Sequence, residues 1–276
     1  MRTIADHALA KRLERFAADD ISAFVAVAAK ACPGDDPQCI EVAGGVAGFI
    51  GPGSPVNGAI GMGLSGEVTH GEIAEVERFF SERAETPIVG VCPLAHPSMA
   101  RVLGERGWSI GTFENVMVRE IVPGEHLDPP TPGIEIRTAD SHEDRDVWAL
   151  MVARGFAAPD DPSPAELNLA TIASRKPGAN FLFGMADGDY AGTGQLETAG
   201  EIAWLSADTT LVRFRRRGVQ ASLQRARLEM ARRADCTLAV SECVPGSPSQ
   251  RNMERLGFRV AYTRVDAIRQ TTPSCL

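Results

Sequence analysis

Residues 215–221 read Arg-Arg-Arg-Gly-Val-Gln-Ala, and they stand between a strand pattern and a helix pattern. The stretch EIAWLSADTTLV (201–212) is typical of a strand. From Val219 onward the apolar residues step by three or four, which predicts a helix with one face in a core. The first N–H groups of a helix lack partners and carry partial positive charge. This arginine–glycine segment (residues 215–221) therefore predicts a binding site for an anion, and the arginines favour a diphosphate.

The neighbouring stretches predict an ordered series of strands and helices. A strand over 133–140 precedes two helices over 144–156 and 164–174, and residues 179–197 form two strands. Asp187-Gly188 joins these two strands, because this dipeptide accepts the positive backbone dihedrals of a tight turn. A strand over 237–243, a helix that ends at Gly257 and a strand over 259–265 complete the series.

Residues 134–276 resemble the GNAT superfamily of N-acyltransferases, which use acetyl-CoA. The family signature is R/Q-x-x-G-x-G/A after a strand, and its terminal helix ends in L-G-F. Arg215 matches the leading position, Gly218 the central glycine and Leu256-Gly257-Phe258 the closing motif. Gln220 stands where the family has Gly or Ala.

The resemblance implies a set of residues that bind acetyl-CoA. Backbone groups of Leu211 and Val212 would hold the pantetheine and the thioester carbonyl, and the helix start would hold the diphosphate. The expected cofactor-binding residues are Leu211, Val212, Arg215, Arg216, Arg217, Gly218, Val219, Gln220, Ala221, Ser222 and Ser249. Ser249 is equally interpreted as a helix cap.

Two carboxylates are candidate catalytic bases, since the family often places one on the strand before the signature. Asp208 and Glu201 are available there. Asp208 also fits a turn or cap residue, and Glu201 also fits a solvated charge at a strand edge. Many members have a tyrosine four residues before the closing glycine, where this chain has Met253. The proton donor for the leaving thiolate is then Ser249, water or absent.

The first half of the chain repeats the second half at an offset of 150 residues. Gly107 aligns with Gly257, each at the end of a predicted helix and before an aromatic residue. Ile88–Val91 aligns without gaps with the strand Leu238–Ser241. The expected fold is therefore α/β, with two tandem GNAT-like lobes, each a mixed, mostly antiparallel sheet flanked by helices. We expect a degenerate domain over 1–121, a Pro/Gly-rich linker over 122–133 and the CoA-binding domain over 134–276.

In the first copy, residues 65–70 (Ser-Gly-Glu-Val-Thr-His) occupy the place of the arginine–glycine segment. They contain no arginine, and Glu67 is expected either to repel phosphate or to favour the helix start as a carboxylate. One acetyl-CoA per chain is therefore expected, in the second copy. A competing interpretation takes Gly61–Gly66 as the G-x-G-x-x-G of a dinucleotide site, although Glu85 stands before rather than after the next strand.

Composition limits the remaining possibilities. A net charge of -8 argues against nucleic acid as a partner. Six cysteines without a C-x-x-C pair and five scattered histidines predict neither disulfides nor a metal site. The longest apolar run, Phe24–Ala29, is far below the roughly 18 residues of a membrane span, and the first twenty residues do not fit a secretion signal. A cytoplasmic location is expected.

Two functions fit these residues. The first is an acetyl-CoA-dependent N-acetyltransferase that acts on the amine of a small molecule. The second is a CoA-binding sensor or partner-binding module without turnover, which Met253 at the tyrosine position favours. The acceptor and the oligomeric state stay open at this point.

Overall fold

The computed structural model of the protein describes residues 5–157 and 161–269. The α-helices are α1 (His7–Ala31), α2 (His70–Ser81), α3 (Ser98–Glu105), α4 (His142–Phe156), α5 (Pro164–Ser174), α6 (Val219–Arg233) and α7 (Pro248–Arg255). The strands are β1 (Gln38–Val42), β2 (Gly45–Phe49), β3 (Gly58–Ile60), β4 (Ile88–Val91), β5 (Ser109–Glu120), β6 (Ile134–Thr138), β7 (Asn180–Ala186), β8 (Asp189–Ala199), β9 (Ile202–Thr210), β10 (Leu238–Cys243) and β11 (Arg259–Ile268).

The described chain divides into two compact units. The C-terminal unit comprises residues 115–261, and the N-terminal unit comprises residues 5–114 together with 262–269. This division differs from the expected domains 1–121 and 134–276, because it falls inside β5 and inside β11 rather than at the linker 122–133.

The N-terminal unit contains a mixed sheet in the order β1-β2-β3-β4-β11. The pairs β1–β2 and β2–β3 are antiparallel, and β3 runs parallel to β4. The end of β11 pairs antiparallel with β4, from Val265 opposite Val91 to Ile268 opposite Ile88. The core beneath this sheet includes buried residues of β2, α2, α3 and the turn before β5, among them Phe49, Ile73, Phe79, Phe80, Met99 and Trp108.

The C-terminal unit contains the strands β10-β9-β8-β7-β6 in that order. The last half of β5 completes this sheet, with Glu120 opposite Leu238 and Asn115 opposite Cys243 in an antiparallel pair with β10. The turn between β7 and β8 is Asp187-Gly188, with φ of 55° and 79°, so the predicted tight hairpin is confirmed. The predicted order of one strand, two helices, a hairpin and a third strand is also confirmed.

The internal repeat is visible in the element boundaries. Helix α3 spans 98–105 and α7 spans 248–255, while β4 begins at 88 and β10 at 238. The offset of 150 residues therefore continues from one strand through the next helix. The expected fold of two tandem lobes, each with a mixed and mostly antiparallel sheet and flanking helices, is confirmed.

The elements also bear on three narrower points: the glycine motif at residues 61–66, a membrane span and a metal site. Gly61–Gly66 connects β3 to α2, and β3 pairs in parallel with β4 after that helix, so the motif lies in a strand–helix–strand unit. However, α2 begins only at His70 and Glu85 precedes β4, whereas a dinucleotide fold opens the helix within the motif and places the acidic residue at the end of the second strand. Within residues 5–157 and 161–269, no helix has the length and apolar character to cross a bilayer. The same residues contain no cluster of three side chains that could ligate a metal.

Candidate functional site

Strands β9 and β10 separate part of the way along their length. They pair in parallel from Ile202–Trp204 and Leu238–Val240, and among the described residues no pairing follows. Beyond this point β9 continues to Thr210, while Ser241 Oγ donates to the Leu205 carbonyl at 2.8 Å. Because the sheet opens there, the backbone edge of β9 that faces β10 is left without a strand partner.

Helix α6 begins at this opening without a side-chain cap among the described residues. Its N-cap is Gly218, whose φ of 85° is the left-handed conformation that glycine adopts without strain. The first helical hydrogen bond runs from the Ser222 N–H to the Gly218 carbonyl at 3.0 Å. The N–H groups of Val219, Gln220 and Ala221 therefore have no acceptor inside the helix, and they remain available for an anion.

A cleft of about 960 Å³ lies over this helix start. Its basic side chains are four arginines, Arg215, Arg216, Arg251 and Arg255, and Asp208 is the acidic residue in its lining. The other lining residues are Gly155, Thr209, Thr210, Val212, Phe214, Gly218, Val219, Gln220, Ala221, Pro248, Ser249 and Asn252. In a chain with net charge -8, this concentration of positive charge favours anions over cations in the cleft.

The corresponding helix of the N-terminal unit has a different start. Thr69 Oγ1 accepts from the Glu72 N–H at 3.3 Å, and the Glu72 carboxylate accepts from the Thr69 N–H at 2.8 Å. This capping box occupies the first donors of α2 and places a carboxylate there. The prediction that a carboxylate replaces the phosphate site therefore applies to Glu72 rather than to Glu67, which is exposed and makes no described contact with the cap.

Gln220, the departure from the family signature, is turned away from the space above the helix start. Its Nε2 donates to Ser249 Oγ at 2.9 Å, and its Oε1 accepts from Asn252 Nδ2 at 2.7 Å. These bonds connect the start of α6 with α7, the helix that carries Arg251 and Arg255. Gln220 therefore fixes the distance between the two arginine-bearing walls of the cleft.

The arginines of the 215–221 segment separate in space. Arg217 points away from the cleft and forms a bidentate pair with Asp187 at 2.6 and 2.8 Å, which lowers the pKa of that carboxyl. Arg215 lines the cleft, and its Nε donates to the Thr210 carbonyl at 3.2 Å. Arg216 lines it with a positive φ of 63°. Two of the three predicted arginines thus face the site.

Two further residues that were predicted to bind the cofactor, Leu211 and Ser222, form bonds within the protein. The Leu211 N–H donates to the Ala191 carbonyl at 3.0 Å, so this donor is occupied within the sheet, whereas Val212 lines the cleft. Ser222 is buried, and its Oγ accepts from the Thr131 N–H at 2.9 Å. This bond holds the linker against α6, where a Cβ on Gly218 would lie 2.5 Å from Thr131 Oγ1.

Asp208 lies on β9 in the cleft wall and is bound by a fully buried arginine. Arg227 of α6 donates from Nη2 to Asp208 Oδ1 and from Nη1 to the carbonyls of Gln195 and Ser206, both at 3.0 Å. Burial raises the pKa of the Asp208 carboxyl, although the Arg227 guanidinium opposes this effect. The second oxygen, Oδ2, has no described hydrogen-bond partner. Asp208 therefore has one oxygen held by Arg227 and a second oxygen that is buried, and the neighbouring Gln224 side chain also lowers the pKa of the carboxyl.

The sequence around this pair is adapted to it. A Cβ on Gly194 would lie 2.8 Å from the Arg227 guanidinium carbon, so only glycine leaves room for the arginine. The register of β8 and β9 shifts between Thr193 and Gln195, which frees the carbonyls that Arg227 binds. A Cβ on Gly155 would lie 2.3 Å from the Cβ of Thr209. Helix α4 therefore approaches the cleft closely at this glycine.

The other candidate residues lie outside the cleft or have structural roles. Glu201 precedes β9 at the end away from Asp208, roughly 23 Å along an extended strand, and it accepts from Thr237 Oγ1 at 3.0 Å. Met253 is 1% exposed and belongs to the core. Tyr190 of β8, one of the two tyrosines of the chain, packs on Phe183 with ring centres 4.6 Å apart. Ser249 does line the cleft, bonded to Gln220.

Sequence reasoning missed Arg251, Arg255 and Arg227. Arg251 and Arg255 are four residues apart on a predicted helix, and that spacing placed them on one face. Arg227 gave a weaker signal, since it follows Leu223 by four residues and interrupts an otherwise apolar stripe.

No protein-family model and no curated protein matches the sequence. Solved structures do match. A GCN5-related N-acetyltransferase from Kribbella flavida has a TM-score of 0.64 and 18% identity, covering 90% of this chain and 96% of that one. A GCN5-related N-acetyltransferase from Sphaerobacter thermophilus has a TM-score of 0.58 and 18% identity, covering 77% and 71%.

A third match has two repeats. It is a tandem GNAT protein from the clavulanic acid biosynthesis pathway, with a TM-score of 0.59 and 15% identity, covering 85% of this chain and 82% of that one. The similarity extends over both halves of the sequence, in agreement with the internal repeat. The protein therefore has the tandem fold of the GCN5-related N-acetyltransferases.

Proposed function

We propose that the protein is an acetyl-CoA-dependent N-acetyltransferase that acts on the amine of a small molecule. The observation that carries this proposal is the uncapped start of α6, which opens into an arginine-rich cleft beside the point where β9 and β10 separate. The fold of the solved N-acetyltransferases supports the same assignment.

The cleft fits the phosphates of CoA. The free N–H groups of Val219, Gln220 and Ala221 suit a diphosphate, and Gly218 lets it approach the backbone. Arg216 lies on one side of that position, and Arg251 and Arg255 of α7 lie on the other. CoA carries a third phosphate on its ribose, so several arginines are needed to balance its charge.

The separated strands fit the rest of the cosubstrate. Pantetheine is an extended chain with two amides, and it can pair with the unpartnered backbone edge of β9 beyond Trp204. In this orientation the diphosphate lies at α6, and the thioester points into the sheet toward Asp208.

The proposed acetyl transfer requires few catalytic side chains. Acetyl-CoA supplies an activated acetyl group, and a neutral amine attacks it, so the amine has to lose a proton. Asp208 lines the cleft, its Oδ2 is buried without a hydrogen bond that would occupy it, and Arg227 holds the carboxylate in one orientation. We assign Asp208 the role of proton acceptor. Glu201 is too far from the cleft to share it.

Calorimetry with acetyl-CoA tests the binding half of the proposal. Arg216→Glu and Arg251→Glu each replace a positive charge in the cleft, and each should weaken binding by more than about tenfold. Arg233→Glu is the matched control, since this arginine is 74% exposed at the far end of α6. Equal affinities for all three variants, or the lack of any binding by the parent protein, would contradict the proposal.

Turnover tests the catalytic half. Thiol release from acetyl-CoA is measured with a panel of small amines that includes aminoglycosides, polyamines and amino acids. We expect at least one amine to stimulate thiol release, with a product heavier by one acetyl group. Thiol release at the same rate without any amine would remove the assignment as an N-acetyltransferase.

A second candidate is a CoA-binding module without turnover. The observation in its favour is Met253, which is buried where a proton-donating tyrosine stands in many relatives. This candidate predicts the same calorimetry and the same arginine dependence. The two differ in the amine panel, because a binding module gives no acetylated product with any amine.

A further inference from the structure

A second cavity, of about 470 Å³, lies entirely within the N-terminal unit. It lies between the first turns of α1, the loop from β3 to α2, and the turn before α3. The lining residues are His7, Lys11, Gly63, Leu64, Ser65, Gly66, Leu94, Ala95, His96 and Pro97. None of these residues is acidic, and three of them are basic, in a chain whose net charge is -8.

The basic side chains converge from two elements. His7 and Lys11 are four residues apart on α1 and therefore lie on one face of that helix. Within the part of the chain that the structure describes, Lys11 forms no ion pair or hydrogen bond. An ammonium group that lines a cavity without a partner is available to a bound anion.

His96 is held as a hydrogen-bond donor toward this cavity. The Val68 N–H donates to Ser98 Oγ at 2.7 Å, and Ser98 Oγ lies 2.9 Å from His96 Nδ1. The Ser98 N–H donates to Nδ1 at 3.3 Å, so Nδ1 is an acceptor and the Ser98 hydroxyl donates to it as well. With Nδ1 as the acceptor, the ring proton resides on Nε2, which has no described partner.

The backbone of the glycine-rich loop adds donors. Gly63 and Gly66 have φ of 76° and 155°, and the His96 N–H donates to the Gly63 carbonyl at 2.8 Å. The N–H groups of Leu64, Ser65 and Gly66 have no acceptor among the described residues. Successive unpaired N–H groups in such a loop form a concave binding site for an anion.

We propose that this cavity binds the oxyanion group of a small organic molecule, with Lys11, His96 and the loop N–H groups as its ligands. Leu94, Ala95 and Pro97 form an apolar wall that suits the carbon part of that molecule. The volume lies within the range of small-molecule pockets, roughly 300–1,000 Å³. The site differs from the start of α2, which its own capping box occupies. It also accounts for the Gly61–Gly66 motif without a dinucleotide.

Histidine ring resonances report on this site directly, because His7 and His96 line it while His126 and His142 do not. The full-length protein is titrated with inorganic phosphate and, separately, with isobutyrate. We expect saturable shifts of the His7 and His96 signals and none at His126 or His142. Tighter binding of phosphate assigns the site to phosphate esters, and tighter binding of isobutyrate assigns it to organic acids.

Three variants test whether the histidine shifts arise from binding in this cavity. Lys11→Glu and Ser65→Asp each place a carboxylate at the exposed rim of the cavity, and each should weaken the response by about tenfold or more. Lys30→Glu, on the last turn of the same helix, changes the charge equally and should leave the response unchanged. The absence of saturable His96 shifts, or equal responses in Lys11→Glu and Lys30→Glu, would overturn the proposal. The readout needs no acetyl-CoA, so it stands apart from the proposed enzyme activity.

Discussion

Arg264 on β11 donates from Nη2 to Oε1 of Glu14 on α1 at 2.9 Å, although the two residues are 250 positions apart in the chain. Arg264 Nε and the Tyr262 hydroxyl donate to the same oxygen at 3.2 and 2.7 Å. Both charged side chains are nearly inaccessible, at 0% for Glu14 and 4% for Arg264. The last strand of the second repeat is thus bonded to the first helix of the N-terminal unit.

Removal of the Glu14 charge should destabilise the protein strongly. Glu14→Gln removes the buried ion-pair partner of Arg264, and breaking a buried pair costs roughly 3–5 kcal/mol. Urea unfolding followed by fluorescence measures the loss. Glu67→Gln is the matched control, because Glu67 is exposed. A loss in Glu14→Gln no larger than that in the control would show that the pair contributes little.

Fragments cut at the linker should not fold independently. Residues 134–276 lack the end of β5, so the six residues of β10 that pair with it would become an unprotected edge. We expect this fragment to aggregate in gel filtration, whereas residues 109–276 retain the strand and should aggregate less. A monomeric 134–276 fragment with the near-UV circular dichroism of a packed core would instead support the domain boundary expected from the sequence.

Glu77 should make stability depend on pH in the acid range. Burial alone would raise the pKa of this carboxyl, but hydrogen bonds from Arg106 and Trp108 lower it below the ordinary value of 4.5. A lowered pKa means that the carboxylate stabilises the folded state above pH 4.5, and that this contribution is lost as the pH falls through the folded-state pKa.

Glu77→Gln tests this effect by urea unfolding at several pH values. The variant should be less stable than the parent protein at pH 7, and the difference should shrink below pH 4.5. Glu105→Gln is the control on the exposed surface. A difference that stays constant down to the acid transition would mean that the charge of Glu77 is not the cause.

The sequence predicted the elements and the repeat because both depend on local patterns. Periodicity, Asp187-Gly188 and Gly218 are each decided within a few residues. The exchange of the last strands could not be predicted in this way. β5 and β11 occupy the same place in the repeat, so their patterns do not reveal which β-strand, β4 or β10, each will pair with. Tertiary packing decides that, including the buried Glu14–Arg264 pair.

The candidate site was likewise predictable where local sequence patterns determine it, and not where tertiary contacts do. The start of α6 follows from glycine and helix geometry, and the structure brings Arg215, Arg216 and Gly218 to the cleft. Arg217 does not face the cleft, because it pairs with Asp187 in the turn between β7 and β8. The Asp208–Arg227 pair depends on a bulge between β8 and β9, which a sequence pattern with a period of two does not reveal.

Gln220→Ala should weaken acetyl-CoA binding in the cleft without abolishing it. The substitution deletes the bonds to Ser249 and Asn252, which costs about 1–3 kcal/mol of stability. Because α7 then loses two hydrogen bonds to α6, acetyl-CoA binding should weaken, but less than in Arg216→Glu, where a charge is reversed. Calorimetry and thermal unfolding of both variants measure this order. Tighter binding by Gln220→Ala would show instead that the glutamine obstructs the diphosphate.

Asp208→Asn should slow turnover by roughly 100-fold or more while acetyl-CoA binding is retained, if this carboxylate accepts the proton of the amine. Since burial raises the Asp208 pKa, the acid limb of kcat should lie above pH 3.8, the ordinary value for aspartate, and it should disappear in the variant. Asp189→Asn is the matched control, because Asp189 is 59% exposed and lies outside the cleft. Thermal unfolding accompanies the kinetics, since Arg227 loses its charge partner. An unchanged acid limb in a folded Asp208→Asn protein would move the role of base to a water molecule and leave Asp208 as the residue that positions Arg227.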